Sequence, residues 1–325
     1  MKKAIYRLAN FVFLLLKIGK PVMAFHLSKY KSEPDFGTTY QAKNSGLYFP
    51  TSNQFFSQNI LKNWRYNLIE ICRLSKNKYL RKVEIRQNDT IVQLDYNAVP
   101  IELVCNSLDS LMVVNELFTD EIYEFDYGQK MVCIDIGMNV GYSALLLASR
   151  PDVEKVYGYE PFKGTYEKAL QNFALNPQLT SKIVPLNSGW SDKTGPFSFQ
   201  NYADGSIGAS TSFTADLNVY GRSADVTTVQ LTDASAALQE IRNLHPGTSL
   251  FLKMDCEGSE YEIFDKLDKD NLLQHFDGVL LEWHYKGPLP LTTLLKKNGF
   301  SYYSTGRPDA PDIGFVYAFK RRENA

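Results

Sequence analysis

Two short stretches bring together side chains that could do chemistry. In 253–260, Lys-Met-Asp-Cys-Glu-Gly-Ser-Glu, the charged residues Lys253, Asp255 and Glu257 alternate at the end of an apolar run. Burying such groups is costly, so their clustering requires either solvent or a function. The apolar run 279–282 then ends in Glu282, followed by Trp283 and His284, which adds an acid and an imidazole. Both ends would fall on the carboxyl edge of a parallel sheet, where open α/β sheets bind ligands. Carboxylates and an imidazole offer acid-base work there, or the ligands of a metal. Each residue singly has a plainer role: Lys253 paired with Asp255, Glu257 capping a helix, His284 in a loop. The cluster as a whole is harder to explain that way.

The second stretch, 131–161, offers binding. The run 131–136 is apolar except for Asp135, and Gly137, Asn139 and Gly141 form the turn that follows. Residues 142–149 have helical composition, 155–159 form a second apolar run, and Glu160 and Pro161 end it. This is a strand, glycine turn, helix and strand, with a carboxylate at the second strand tip that can accept both hydroxyls of a ribose. Glycines let a ligand approach the backbone, and the helix start offers free N–H groups. A dinucleotide fingerprint would need glycines where Asn139 and Tyr142 stand, and no Gly-Lys-Ser/Thr follows for a phosphate loop. What remains leaves room for a small zwitterion beside Asp135. The methionine half of S-adenosylmethionine (SAM) answers that description.

The elements needed to position these groups are legible in the flanking sequence. Apolar runs at 182–187, 195–201, 226–231, 249–254, 278–283, 300–304 and 314–319 read as strands, with helices over 165–175 and 232–244, the latter capped by Thr232 or Asp233. Upstream, 59–80 reads as one helix, 82–86 and 90–95 as a hairpin, 101–105 as a strand and 107–125 as a helix. The aromatic, turn-rich segment 33–58 reads as an ordered loop, and the glycine-bearing segment 203–212 as a candidate substrate lid.

The chain has 325 residues, 44% hydrophobic and 22% charged, with a formal net charge of −1. With a pI of about 6.5, no basic field points to nucleic acid. Cys72, Cys105, Cys133 and Cys256 lack Cys-x-x-Cys spacing, as expected of reduced, mostly buried thiols in a cytoplasmic protein. Residues 1–31 carry seven Lys and Arg and no acid. Their apolar stretch 9–16 is too short to span a bilayer. A helix packed on its own domain or on a partner subunit is the preferred reading, and peripheral contact with an anionic membrane is the other.

On these motifs the chain resembles the FkbM family of SAM-dependent methyltransferases. The residues that carry the resemblance are Asp135 to Tyr142, Glu160 with Pro161, and Lys253 to Glu260, with lesser matches at 116–125 and 231–233. Met138 departs from the family's usual alanine, and Thr232 stands where an acid is common. The resemblance spans roughly 107–285 and implies a doubly wound, Rossmann-like α/β fold. Its sheet would be mostly parallel, with an antiparallel strand near the carboxyl terminus. The expected domains are an amino-terminal helical and hairpin extension, 1–106, and a methyltransferase domain, 107–325. The implied activity is O-methylation of a hydroxyl on a small molecule or glycan, such as a sugar or polyketide-like acceptor.

Within that reading, Gly137, Asn139 and Gly141 serve the methionine portion of SAM, Glu160 the ribose, and Asn187 and Ser188 the adenine, with Asp135, Tyr142, Pro161 and Asp255 also at the cofactor. Asp255 is the preferred catalytic group, with Glu257 and His284 as alternatives. Lys253 orients a carboxylate or the acceptor, since an ordinary ammonium is no base at neutral pH. Asp255, Glu282 and His284 would hold Mg²⁺ or Mn²⁺ if they converged, but the metal-free reading is preferred. The competing functions are a methyltransferase of nucleic acid or protein, and a non-catalytic SAM-binding protein.

Overall fold

The computed structural model describes residues 40–43, 45–201, 225–307 and 310–320, together with Phe25. The basic segment 1–31, apart from Phe25, and the lid candidate 203–212 lie outside the described residues. By contact the chain forms two compact units, Met1–Glu124 and Phe125–Ala325.

In the first unit, strands β1 (Gln41–Lys43), β2 (Gly46–Phe49) and β3 (Gln54–Ser57) make an antiparallel sheet where a loop was expected. Its cause lies in the aromatic spacing. Leu47, Phe49 and Phe56 share one face and are fully buried, Leu47 standing opposite Phe56 in the register. The single helix expected over 59–80 is two, α1 (Gln58–Asn63) and α2 (Leu68–Ser75). Arg65 and Tyr66 take left-handed φ of 48° and 52°, and the Asn67 side chain then caps α2 by accepting the Glu70 N–H. Strands β4 (Leu80–Arg86), β5 (Asp89–Tyr96) and β6 (Val99–Val104) form a meander. Helix α3 (Leu108–Phe118) starts at a Ser107 cap. Its buried Asn115 donates to the Glu70 carbonyl at 2.9 Å and to the Glu70 carboxylate at 2.8 Å. These bonds fasten α3 to α2, so this unit runs to Glu124, beyond the 106/107 division expected from sequence.

The second unit runs β7 (Met131–Ile136), α4 (Tyr142–Ser149), β8 (Val153–Tyr159), α5 (Lys163–Ala174), α6 (Pro177–Thr180), β9 (Ile183–Leu186), β10 (Gly189–Ser191), β11 (Gly195–Asn201) and β12 (Asp225–Asp233). It continues with α7 (Ala234–Leu244), β13 (Ser249–Met254), α8 (Glu260–Lys269), β14 (Gly278–His284), α9 (Leu289–Lys297), β15 (Phe300–Arg307) and β16 (Ala310–Lys320). The main sheet has the order β15-β16-β14-β13-β7-β8-β9. Strands β14, β13, β7, β8 and β9 are parallel, β16 runs antiparallel to β14, and β15 antiparallel to β16. This is the doubly wound α/β fold expected from the alternation of runs. Every residue of β7 and β14 is buried, as strands covered on both faces must be. The chain winds outward from β7 through β8 to β9 and returns to β13 on the other side of β7, which puts a topological switch between β7 and β13. Both chemical stretches leave the sheet at that point. A smaller sheet, β10-β12-β11, stands beside the main one.

Candidate active site

At the end of β7, Asp135 is fully buried. Lys253 Nζ lies 3.0 Å from its Oδ1, and Ser143 Oγ donates to its Oδ2 at 2.6 Å. Register makes this pairing inevitable, because Lys253 on β13 stands directly beside Asp135 on β7. Lys253 also donates to the Gly137 carbonyl at 2.8 Å. Burial works against its charge, but Asp135, then Asp255, outweigh burial and raise its pKa above the ordinary lysine value. The pair therefore props the glycine turn from beneath. Neither Lys253, expected among the catalytic groups, nor Asp135, expected beside the cofactor, lines the cleft.

The turn itself divides. Gly137 and Asn139 line the cleft, whereas Gly141 and Tyr142 do not. Gly137 has φ +76°, and a Cβ there would lie 1.8 Å from the Asp255 carbonyl oxygen. Glycine is demanded by a passing protein backbone, a closer constraint than the ligand approach anticipated. Gly141, at φ +85°, packs on the Phe173 ring, and Tyr142 is buried in the core. Asn139 holds a left-handed φ of 51°, and its buried Oδ1 has no hydrogen-bond partner among the described residues. Strain of this kind in a non-glycine residue tends to persist at functional sites.

Glu160 follows β8 and is 5% exposed. Its carboxylate accepts the Phe162 N–H at 2.9 Å and the backbone N–H of Asn139. Burial raises its pKa more than these bonds lower it, leaving it at about 7. Asn187 and Ser188, expected at the adenine, do not line the cleft. Asn187 Nδ2 donates to the carbonyls of Glu160 at 2.9 Å and Pro161 at 3.2 Å, and Ser188 Oγ bonds Thr232 Oγ1 at 2.6 Å. They fasten the wall, while Pro161, Phe162, Gly189, Trp190 and Leu231 form it. Sequence reasoning did not pick out Phe162, Gly189 or Trp190, and took Leu231 only as the end of a strand and part of a lesser family match. The available signal was a glycine and a tryptophan at a strand tip, Gly189 and Trp190.

Opposite that wall, the backbone after β13 presents Asp255, Cys256, Glu257 and Ser259 to the cleft. Behind them His284 is 3% exposed. Its Nδ1 lies 2.9 Å from Glu260 Oε1, and its Nε2 lies 3.9 Å from Asp255 Oδ1 and 3.7 Å from Glu257 Oε2. Burial would strip the ring of its charge, but Glu260, Asp255 and Glu257 together lift its pKa to about 9. The charged imidazolium is thus the favoured form of His284 near neutral pH. Glu257, held at φ 55°, has its pKa raised by burial and then by Asp255. Burial, then the charges of Glu260 and Asp255, push the Cys256 thiol well up, so it lines the cleft as a neutral group. Glu260, at 0% exposure, also accepts the Cys256 N–H at 3.2 Å. It was not among the expected site residues, although it closes the motif 253–260.

Among the described residues, Asp255, Glu257 and His284 form the set that could hold a metal, with ligand atoms within 4.8 Å of one another. Glu282, expected in that set, instead has its Oε1 3.6 Å from the Arg307 guanidinium. The surrounding carboxylates favour the protonated form of His284, so a divalent cation would compete there with a proton. The whole cleft, with its open mouth, measures about 610 Å³.

The family profile described as the Methyltransferase FkbM domain matches residues 135–302, more than half of the chain. The chain belongs to the FkbM methyltransferase family. Among solved structures it is similar to the FkbM methyltransferase of Methylobacillus flagellatus KT, at 13% identity and a TM-score of 0.42 over 65% of this chain. It spans about half of that protein, 54% of its length. M. jannaschii TYW2, solved in complex with AdoMet, shares 15% identity at a TM-score of 0.36, over 75% of this chain and 94% of that one. No curated protein matches the sequence. The FkbM match opens on Asp135, the first of the two props under the glycine turn.

Proposed function

We propose that this FkbM protein is a SAM-dependent O-methyltransferase acting on a hydroxyl of a small molecule or glycan, of sugar or polyketide-like type. The observation that carries the reading is a single cleft with Glu160 on one side and the Asp255 and Glu257 carboxylates on the other. The donor set of the cleft suits SAM. Glu160, anchored by two backbone N–H groups, has acceptor capacity left for two ribose hydroxyls. The unpartnered Asn139 Oδ1 can accept from an ammonium group, and Phe162, Trp190 and Leu231 offer an apolar slot for a flat base.

Bound there, SAM supplies an electrophilic methyl group. The protein's part is to align the acceptor oxygen with it and to take the oxygen's proton. Alignment alone can contribute most of the rate. Asp255 is the first candidate for the proton, with Glu257 beside it. The charged form of His284, favoured by the carboxylates around it, draws Asp255 and Glu257 together. Asp255→Asn should lower turnover by roughly 10²–10⁴-fold, the usual contribution of a general base, while SAM affinity stays near the wild-type value. Transfer of labelled methyl to a panel of glycan and metabolite hydroxyls reads this out, and full turnover by the variant would exclude Asp255 as base.

A further inference from the structure

At the opposite, amino-terminal edge of the main sheet lies a second depression, of about 960 Å³ with its open mouth. It is built where α7 ends and β13 begins, with the short turn before β14 closing the other side. Its chemistry is unlike that of the cleft. Arg242, His245 and His275 line it, with the neutral donors Asn243 and Thr248. The acid in its wall, Asp277, is already engaged, accepting the Leu250 N–H at 2.9 Å and the Tyr127 hydroxyl at 3.3 Å. His245 Nε2 is held by the Tyr157 hydroxyl at 2.8 Å. The guanidinium of Arg242 and the imidazole of His275 have no side-chain partner among the described residues.

Asp277 keeps its negative charge, which also acts on Lys320, but its oxygens are turned to the neutral Leu250 and Tyr127 donors and do not engage the guanidinium. Burial and then the charges of Arg242 and Lys320 hold the His275 pKa below the usual histidine value, which favours the neutral ring. Lys320 itself turns to the Gln274 carbonyl, so its charge acts on the depression from the rim. The carboxyl end of α7, which would oppose an anion, is partly neutralised. The His245 N–H takes the carbonyls of Ile241 and Arg242, and the Thr248 N–H takes that of His245. A planar guanidinium beside an imidazole suits a tetrahedral phosphate, because the guanidinium fork can hold two oxygens while the ring N–H donates to a third.

We infer that this depression binds the phosphate group of a ligand, with the Arg242 guanidinium as its charged contact and the His275 imidazole as a neutral donor, at a site separate from the methyl-transfer cleft. The site is independent of the methyltransferase reading, since none of its residues lines that cleft. The phosphate could belong to a soluble phosphomonoester or to a lipid headgroup, and the chemistry recognised is the same.

The test follows the His275 ring resonances of the full chain in NMR titrations with inorganic phosphate, against chloride at matched ionic strength. Phosphate should shift them saturably and raise the His275 titration midpoint, since an anion reverses the effect of Arg242. Arg242→Gln should weaken phosphate at least roughly tenfold, the loss of a charge-assisted hydrogen bond. Arg242→Lys should recover only part of that affinity. In a second arm, Arg242-dependent sedimentation with phosphatidylglycerol vesicles but not phosphatidylcholine vesicles would assign the phosphate to a lipid, and its absence to a soluble ligand. No saturable phosphate shift beyond the chloride control, or equal affinity in Arg242→Gln, overturns the proposal.

Discussion

With Glu260 on one ring nitrogen and two carboxylates before the other, His284 contributes stability as well as order. Its folded pKa of about 9 lies above the ordinary 6.5, so this contribution is complete below pH 6.5 and is lost as pH rises through 9. The gap corresponds to about 3 kcal/mol. His284→Gln should therefore be less stable than the wild type by a margin that shrinks toward alkaline pH. Urea midpoints of both proteins on either side of that window give the margin directly. A margin constant with pH would mean that His284 is neutral in the folded protein. Glu160 titrates in the other sense for binding. Its carboxylate must be ionised to accept two hydroxyls, so SAM affinity should fall as pH drops below about 7, by up to about tenfold per unit. Flat affinity between about pH 8 and 5.5 would contradict that role.

At the scale of elements, the glycine turn shows how neighbouring strands share a constraint. Met138, where the family commonly has alanine, does not crowd the cleft. Its side chain packs on β8, where a Cβ added at Gly158 would meet the Met138 sulfur at 2.5 Å. Gly158→Ala should cost about 1–3 kcal/mol by overpacking. In a Met138→Ala background the same change should cost much less, and a denaturant double-mutant cycle measures the coupling. Strict additivity would show that the two do not share space.

The same scale explains what was legible. Gly137, Asn139 and Glu160 could be read because turn, helix and strand follow one another locally, and the buried runs of β7, β13 and β14 could be read from unbroken apolarity. Trp190 and Leu231 were not legible as site residues, because only the pairing of β10 with β12 brings them together. Nor was the burial of Lys253, which depends on a cross-strand register. The break between α1 and α2 was missed because an apolar periodicity runs across it, although Asn67 marked the new start.

For the whole molecule, a net charge of −1 leaves little long-range attraction for a polyanion, which favours a small acceptor over nucleic acid. Among the described residues no helix is long and apolar enough to cross a membrane. The carboxylates of the acidic side favour a proton on His284, which competes with a divalent cation, so methyl transfer should survive exhaustive chelation. Turnover that vanishes with chelator and returns with Mg²⁺ or Mn²⁺ would instead make Asp255, Glu257 and His284 a metal site.

The central claim is that one cleft holds SAM by Glu160. Calorimetric titration of SAM into the wild type and Glu160→Ala tests it most directly. The account predicts saturable binding to the wild type and a loss of about 1–3 kcal/mol in the variant, with folding unchanged. Equal affinity of the two proteins, or no binding to either, would contradict it.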